Sequence, residues 1–139
     1  MKLKEVLRDI PVLELRASPE LEITDVCYDS RKVGPGALFV AVRGYETDGH
    51  KYIPSALERG AAAVVCEEIP EAEGAFVRVE NSRKALGLLS ANLLDRPAEK
   101  LKIVGVTGTN GKTTTTHLIR SILETCAGAP VGLIGTNRN

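Results

Sequence analysis

The sequence predicts an α/β protein, and three observations support this prediction. Short runs rich in β-branched residues alternate along the chain with segments whose apolar residues recur at helical spacing. One glycine-rich turn, over residues 105–114, lies between a strand-like run and a helix-like run. The 139 residues are 43% hydrophobic and 26% charged, the composition of an ordinary globular protein of one domain, or of one domain and part of a second.

The amino-terminal part of the chain is predicted to form a small α/β domain. Residues 22–28 alternate apolar and polar side chains, which indicates a half-buried strand with Ile23, Val26 and Tyr28 as its inward positions. Gly60 suits the left-handed cap of a helix. In chain order the predicted elements are a helix over 3–10 stopped by Pro11, a strand over 22–28, a turn at 34–36, a strand over 37–42, a polar loop over 44–49, a helix over 53–59, strands over 61–66 and 76–79, and a helix capped by Asn81 or Ser82 that runs to about 95.

The segment Arg96-Pro97-Ala98 is the predicted domain boundary, because proline ends the preceding helix and a new strand–loop–helix unit follows. Residues 1–97 then form one domain, and residues 98–139 form part of another. The second block contains only the strand-like run 102–106, the glycine-rich turn, one helix and the apolar run 131–135. Two strands and one helix leave most of a parallel sheet open to water, so we expect this block to be the start of a longer domain.

The glycine-rich turn has the chemistry of a phosphate-binding loop. Gly108 and Gly111 allow positive φ angles that bring backbone N–H groups close to an anion, and the helix that follows adds its unpaired N–H donors. Lys112 supplies a positive charge for the β- and γ-phosphates of a nucleotide. The Thr113 hydroxyl is placed to bind a magnesium ion that bridges those phosphates.

The spacing of this loop departs from the common phosphate-loop pattern at one position. In the pattern G-x-x-x-x-G-K-[S/T] the first glycine falls where this chain has Val106, and the chain instead has Gly105 and Gly108. A chance glycine-rich turn before Lys-Thr is the alternative. The strand-like run before the turn and the helix-like run after it favour phosphate binding. The glycines run Gly-x-x-Gly-x-x-Gly, which does not match the dinucleotide-binding pattern.

Charge, cysteine content and hydropathy limit the partners that we expect. The 18 acidic and 18 basic residues balance, so the overall charge gives no reason to expect nucleic acid or a membrane as a partner. Cys27, Cys66 and Cys126 are far apart and have no partners at metal-ligand spacing, which predicts reduced thiols in the cytoplasm. No run reaches the roughly 20 apolar residues of a membrane span. His50, in a polar loop, is expected to face solvent.

The glycine-rich loop resembles the ATP loop of the Mur ligases, in the run Gly-Val-Thr-Gly-Thr-Asn-Gly-Lys-Thr-Thr-Thr-Thr at 105–116. The first block is similar to the uridine-nucleotide domain of the same family. The motifs that carry this similarity are Tyr-Asp-Ser-Arg-Lys-Val at 28–33, Pro-Gly-Ala-Leu-Phe-Val-Ala at 35–41, Asp-Gly-His-Lys-Tyr-Ile at 48–53 and Gly-Ala-Ala-Ala-Val-Val at 60–65. The two motif sets follow the family's order, cover nearly the whole chain and most resemble the MurE-type branch.

The resemblance implies an ATP-dependent amide-bond ligase of peptidoglycan precursor synthesis. Such enzymes phosphorylate the D-glutamyl carboxylate of UDP-N-acetylmuramoyl-L-alanyl-D-glutamate, and the amine of meso-diaminopimelate or L-lysine then displaces the phosphate. Mg²⁺ and Lys112 would offset charge during phosphoryl transfer. The implied cofactors are ATP and Mg²⁺, and the implied partners are the UDP-N-acetylmuramoyl-dipeptide and a diamino acid. Residues 98–139 would be the first strand, phosphate loop and helix of a parallel-sheet ATPase domain.

The same resemblance assigns residues to two sites. It implies that Tyr28, Ser30, Tyr45, Glu46 and Thr47 contact the UDP part of the substrate. It implies that the ATP loop consists of Gly108, Thr109, Asn110, Gly111, Lys112, Thr113 and Thr114, with Thr113 as a Mg²⁺ ligand. Ser30 also suits a hydrogen bond within its own turn, so the residues alone leave both roles open.

Three alternatives stay open from the sequence. A MurF-type ligase has a similar first domain, although Thr109, Asn110 and the threonine run that follows fit the MurE-type branch better. A non-catalytic UDP-substrate-binding module would bind the UDP substrate but not ATP. A small phosphoryl-transfer kinase would need downstream arginines, and only Arg120 and Arg138 follow the loop.

We predict that the 139-residue chain does not catalyse ligation alone. In the family, later segments supply the catalytic histidine, a modified lysine and the diamino-acid pocket, and this sequence contains none of them. A phosphate-release assay with both substrates, ATP and Mg²⁺ should therefore match the assay without protein. Sustained phosphate release at an enzyme-like rate would contradict this prediction.

Overall fold

The computed structural model describes residues 1–44, 47–128 and 130–135, with Ala127 described by its backbone alone. The chain divides into two compact units, Met1–Leu101 and Lys102–Asn139. All the described strands belong to the first unit, and the longest described helix belongs to the second. The predicted α/β fold class is thereby confirmed.

The first unit alternates helices with strands. Its helices are α1 (Leu3–Val6), α2 (Ile53–Glu58) and α3 (Ser82–Leu93), and its strands are β1 (Val12–Arg16), β2 (Asp25–Cys27), β3 (Ala37–Val40), β4 (Ala63–Cys66) and β5 (Phe76–Val79). Short 3₁₀ helices cover Ser30–Lys32, Gly49–Tyr52 and Pro97–Lys100. The second unit contains α4 (Lys112–Ala127).

The five strands form one sheet in the order β1-β5-β4-β3-β2. β2, β3, β4 and β5 are parallel, and β1 pairs antiparallel with β5 at the edge. Val26 lies opposite Leu38, and Leu38 lies opposite Ala63, so the ends of the three strands are level. The loops that follow the carboxyl ends of the parallel strands therefore meet at one edge of the sheet.

Both faces of the sheet are covered, which makes β3 and β4 buried along their whole length. One face packs against α1 and α3, and its buried side chains include Leu3, Leu38, Val40, Val65, Val77 and Leu89. The other face packs against α2, and its buried side chains include Phe39, Ile53, Ala56, Val64 and Phe76. Burying one Val, Leu, Ile or Phe side chain stabilises a fold by about 1.5–3 kcal/mol, so these two layers supply most of the favourable free energy.

A buried polar junction joins α1 to the end of α3. Asn92 is only 2% exposed, and its side-chain N–H groups donate to the carbonyls of Val6 and Arg8 at 2.9 and 2.7 Å. Its Oδ1 accepts from Arg96 Nε at 2.7 Å, and the Arg96 guanidinium also pairs with Asp9. Both amide protons and the oxygen of Asn92 are therefore satisfied, as burial of a polar group requires.

β1 is the strand that the sequence pattern did not predict. Its two leucines, Leu13 and Leu15, are 55% and 40% exposed, so the strand presents no regular apolar face to the core. Hydrogen bonds to β5 hold it at the sheet edge, with a register irregularity between Val12 and Glu14. A strand that is held mainly by hydrogen bonds to its partner need not show a regular apolar pattern in its own residues.

The second unit differs from the prediction in its strands. The strand predicted over 102–106 is not formed, and Ile103 and Val104 are 69% and 61% exposed. The apolar run 131–135 is not a strand either. A strand needs a hydrogen-bonding neighbour, and the described residues of 102–135 contain none. The predicted helix is present as α4, and none of the described helices has the length and hydropathy needed to cross a membrane.

We predict that Asn92→Ala lowers the free energy of unfolding by about 2–3 kcal/mol, because the buried carbonyl of Val6 and the partly buried carbonyl of Arg8 both lose their donor. Gly87→Ala is the matched control on the same helix, since nothing lies within 4 Å of the added methyl group. That control should raise the free energy of unfolding by about 0.5–1 kcal/mol through helix propensity. Urea unfolding followed by circular dichroism measures both, and a neutral Asn92→Ala would contradict the assigned role.

Candidate functional site

The first polar cluster follows the carboxyl end of β2, at the sheet edge where α/β proteins bind ligands. Asp29 lies just before the 3₁₀ helix Ser30–Lys32, and its Oδ1 accepts from the Arg31 backbone N–H at 3.0 Å. The Arg31 side chain then folds back on the same carboxylate, with Nε at 2.9 Å from Oδ1 and Nη2 at 2.8 Å from Oδ2. Asp29 and Arg31 thus form a fork that fixes the backbone of Ser30.

The arginine changes the acidity of this carboxyl group. The side-chain hydrogen bonds from Arg31, followed by the backbone hydrogen bond from Arg31, lower the pKa of Asp29 to about 2. The carboxylate is therefore ionised throughout the physiological range. The arginine itself remains 84% exposed, so its outer surface is open to a ligand.

A cavity of about 450 Å³ opens beside this fork. Its lining residues come from two segments, and they are Tyr28, Asp29, Ser30, Arg31, Thr47 and Tyr52. The structure therefore brings together three residues of the predicted UDP site, Tyr28, Ser30 and Thr47. The other two predicted contacts, Tyr45 and Glu46, lie outside the described residues.

Tyr28 does not face inward, as the alternation in 22–28 had suggested. β2 ends at Cys27, and Tyr28 is 68% exposed and lines the cavity. Tyr52 was not predicted as a site residue, because only the fold brings the 3₁₀ helix Gly49–Tyr52 beside the Asp-Ser-Arg turn. Arg31 could have been predicted as a site residue from the sequence, because an aspartate two residues before an arginine at a turn can hold the guanidinium group in a fork.

The expectation that His50 faces solvent is wrong. Its side chain is only 14% exposed and both ring nitrogens are bonded. Nδ1 lies 2.7 Å from Asp48 Oδ1, and Nε2 accepts from the backbone N–H of Glu67 at 3.0 Å. The hydrogen bonds from His50, the backbone one above all, hold the pKa of Asp48 below its ordinary value. The loop sequence gave no sign of the Glu67 contact, because that residue lies on another strand end.

The glycine-rich loop has the backbone conformation that the sequence predicted. Gly108 and Gly111 have φ angles of 149° and 75°, which side-chain-bearing residues rarely adopt. α4 begins directly after Gly111, and among the described residues no side chain caps its first turn. The first helical hydrogen bond runs from Thr115 N–H to Gly111 O at 2.9 Å. The earlier N–H groups of the helix are thus available to an anion.

The remaining residues of the predicted ATP loop are exposed around this helix start. They are Thr109, Asn110, Thr113 and Thr114. Lys112 folds its ammonium group back over the loop, donating to the carbonyl of Gly108 and to that of Thr109 at 3.4 Å. Among the described residues no cluster of three or more His, Cys, Asp or Glu side chains is arranged to hold a metal ion. A magnesium ion here would need oxygen ligands from a bound phosphate, with the Thr113 hydroxyl as a protein donor.

The described residues thus form an α/β fold with a polar cavity at the carboxyl ends of its parallel strands, and an open helix start follows the glycine-rich turn. The chain belongs to the Mur ligase family. The model of the Mur ligase family catalytic domain matches residues 22–93, and the model of the Mur ligase middle domain matches residues 106–139. The resemblance seen in the sequence motifs is confirmed.

Curated relatives cover the whole chain at high identity. The chain is 50% identical to the UDP-N-acetylmuramoyl-L-alanyl-D-glutamate–2,6-diaminopimelate ligase of Chlorobium phaeobacteroides, covering 99% of this chain and 28% of the relative. It is 51% identical to the UDP-N-acetylmuramyl-tripeptide synthetase of a Roseiflexus species, covering 98% of this chain and 27% of the relative. The chain therefore spans less than a third of the length of these relatives.

Solved structures share the fold at lower identity. The UDP-N-acetylmuramoylalanyl-D-glutamyl-2,6-diaminopimelate–D-alanyl-D-alanyl ligase of Acinetobacter baumannii matches with a TM-score of 0.69 and 29% identity, over 90% of this chain and 28% of that one. The MurF ligase of Thermotoga maritima, in complex with ADP, matches with a TM-score of 0.56 and 32% identity, over 76% of this chain and 24% of that one.

We predict that Arg31→Ala raises the pKa of Asp29 from about 2 toward its ordinary value of 3.8, because the largest cause of the lowering is removed. The folded pKa is the lower one, so the pair stabilises the fold above pH 3.8, and this contribution is lost as the pH falls toward 2. A ¹³C carboxyl titration by NMR measures the pKa. Lys32→Ala is the control, since its charge acts only through space and should produce a smaller change. An unchanged Asp29 in Arg31→Ala would contradict the assignment.

Proposed function

We propose that this chain contributes the UDP-substrate domain (residues 1–97) and the start of the ATP domain (residues 98–139) of an ATP-dependent ligase of peptidoglycan precursor synthesis. The whole enzyme would add meso-diaminopimelate or L-lysine to UDP-N-acetylmuramoyl-L-alanyl-D-glutamate in the cytoplasm. The observation that carries the proposal is the high identity, over the whole chain, to relatives named for this reaction. The cavity at the end of β2 and the open start of α4 support it.

The cavity suits the uridine diphosphate end of such a substrate. Tyr28 and Tyr52 offer aromatic faces against which a base can stack, and Ser30 and Thr47 offer hydroxyl groups. The exposed guanidinium of Arg31 can face phosphate oxygens while Asp29 holds its other edge. Tyr45 and Glu46 are proposed as further contacts from the loop that carries Thr47.

The glycine-rich loop suits the phosphates of ATP. Gly108 and Gly111 leave the backbone open at the two positive-φ positions, and the uncapped N–H groups at the start of α4 provide donors for phosphate oxygens. The proposed loop comprises Gly108, Thr109, Asn110, Gly111, Lys112, Thr113 and Thr114. Bound Mg²⁺ would supply charge neutralisation at the phosphates, and the Thr113 hydroxyl is its proposed ligand in this chain.

The proposed reaction converts the D-glutamyl carboxylate into an acyl phosphate, which the amine of the diamino acid attacks with release of phosphate. In this chain, Lys112 would leave the carbonyls of Gly108 and Thr109 and turn toward the phosphates, where its charge stabilises the transferring group. The residues of the cavity would hold the nucleotide end of the substrate and so orient the carboxylate at its other end.

The curated relatives favour ligation of a diamino acid over the alternative functions that the sequence leaves open. Eight curated relatives at 40–51% identity are named as diaminopimelate ligases or tripeptide synthetases. The solved structures that are named as MurF-type enzymes are 29–32% identical and a solved diaminopimelate ligase is 27% identical, so the curated relatives alone carry this preference. A MurF-type ligase is therefore the less supported alternative, and a non-catalytic UDP-substrate-binding module is the alternative that kinetics must exclude.

The test uses the full-length protein that contains this chain. We expect phosphate release that requires the UDP-dipeptide, the diamino acid and ATP together. Lys112→Ala should lower kcat/KM by about 100-fold or more, because one preorganised charge at the transition state is lost. Lys102→Ala, an exposed lysine outside the loop, is the matched control and should leave the rate unchanged. Binding of UDP without any turnover would instead support the binding module.

A further inference from the structure

We propose that His50 is a positioning residue for the cavity at the end of β2, holding Thr47 and Tyr52 in place for the nucleotide end of the substrate. This inference rests on the proposed function of the cavity as the UDP site. His50 itself is not among the residues that line the cavity. It lies between the two that it would position, three residues after Thr47 and two before Tyr52.

The His50 ring joins two separate parts of the sheet edge. Nδ1 lies 2.7 Å from Asp48 Oδ1, within the loop that follows β3. Nε2 accepts from the backbone N–H of Glu67, directly after β4, at 3.0 Å. An Nε2 atom that accepts carries no proton, so the proton of the neutral ring is on Nδ1 and is donated to Asp48. The ring is thus a rigid spacer with a donor at one end and an acceptor at the other.

The loop that this spacer holds is closed by its own backbone. The Gly44 N–H donates to the Thr47 carbonyl at 2.9 Å, and the Gly49 N–H donates to the Val42 carbonyl at 2.9 Å. Asp48 bridges to Arg43 across the loop. Thr47 is therefore hydrogen-bonded to Gly44 within the loop, and the His50 contact to Glu67 connects the loop to the end of β4.

The attachment point, Glu67 directly after β4, is itself fixed. Glu67 Oε1 accepts from both the backbone N–H and the hydroxyl of Ser82 at 3.0 Å each, at the start of α3. Ser82 is fully buried. Arg43 faces the same cluster, with Nε at 3.7 Å from Asp48 Oδ2 and at 3.5 Å from Glu67 Oε2, and its Nη2 at 2.5 Å from Glu68 Oε1. The amide that His50 accepts from is therefore held by a core-anchored side chain.

Two segments of the chain line the cavity, and different side-chain contacts hold each of them in place. Tyr28, Ser30 and Arg31 follow β2, and the Asp29 fork holds the turn that contains Ser30 and Arg31. Thr47 and Tyr52 belong to the other segment, which His50 and Arg43 tie to the residues directly after β4. Loss of either His50 bond would remove one of these ties and loosen the second segment, so that ligand binding would have to order it further.

Two substitutions separate the two ends of the spacer. The amide group of Gln in His50→Gln reaches the place of Nε2 and can accept from Glu67, but it removes the ring donor to Asp48 and leaves only the His50 backbone N–H at that carboxylate. The shorter Asn in His50→Asn places its amide near Nδ1 and can donate to Asp48, but it leaves the Glu67 N–H without its acceptor. The chain's other histidine, the exposed His117 on α4, provides the matched control His117→Gln.

The experiment measures the Kd for UDP by isothermal titration calorimetry, on the 139-residue chain and at a temperature where every variant is folded by circular dichroism. We expect each His50 variant to bind about tenfold more weakly than the unsubstituted chain, and His117→Gln to bind equally well. A purely structural role would lower the melting temperature and leave the Kd of the folded protein unchanged. Equal Kd values across the folded variants would therefore overturn the inference.

NMR of the same proteins separates this inference from the proposed function. We expect the ¹⁵N shifts of the His50 ring to show the Nδ1–H form, and backbone shifts to change at Thr47 and Tyr52 in both variants. Amide exchange at Glu67 should accelerate in His50→Asn and stay slow in His50→Gln. If the unsubstituted chain does not bind UDP, the assignment of the cavity fails, and these shifts alone decide the positioning role. Unchanged shifts at Thr47 and Tyr52 would overturn it.

Discussion

The parallel register of β2, β3 and β4 is the constraint on which the first unit depends. Val26, Leu38 and Ala63 lie side by side across the three strands, so the strands end together at one edge. Parallel neighbours cannot be joined by tight hairpins, and each connection must cross a face of the sheet. Both faces are covered as a result, which explains why 37–40 and 63–66 are apolar throughout. The loops that line the cavity meet because of this alignment.

Polar groups at this edge are bonded to one another before a ligand arrives. The Asp29 carboxylate holds Arg31, and the His50 ring holds Asp48 to the end of β4. Loops are usually the mobile parts of a fold, and ordering them on binding costs free energy. Here short 3₁₀ helices and side-chain hydrogen bonds fix them in advance. The edge therefore combines the accessibility of loops with much of the order of the sheet.

In the second unit, residues whose sequence pattern predicts burial are exposed. Ile103 and Val104 have the residue types of a buried strand, yet they are exposed and form no strand. Leu118 and Ile122 on α4 are 60% and 59% exposed, although their spacing is that of a core-facing stripe. The local sequence pattern indicates which side chains of a segment can be buried. Their burial itself requires neighbouring elements to pack against. The start of α4 needs no such neighbour, since Gly111 and the helix form it locally.

The sequence by itself determined the features that depend on near neighbours. It predicted the limits of β5, a cap of α3 at Asn81 or Ser82, and the positive φ at Gly111. The structure places that cap at Asn81, which accepts from Lys84 N–H. The tertiary structure alone decided the contacts between distant residues. His50 and Glu67 are 17 positions apart, and Asn92 and Val6 are 86 apart. A hydrogen bond of that span follows from how strands and helices pack, and neither residue type nor spacing in one sequence encodes which distant carbonyl or amide a side chain meets.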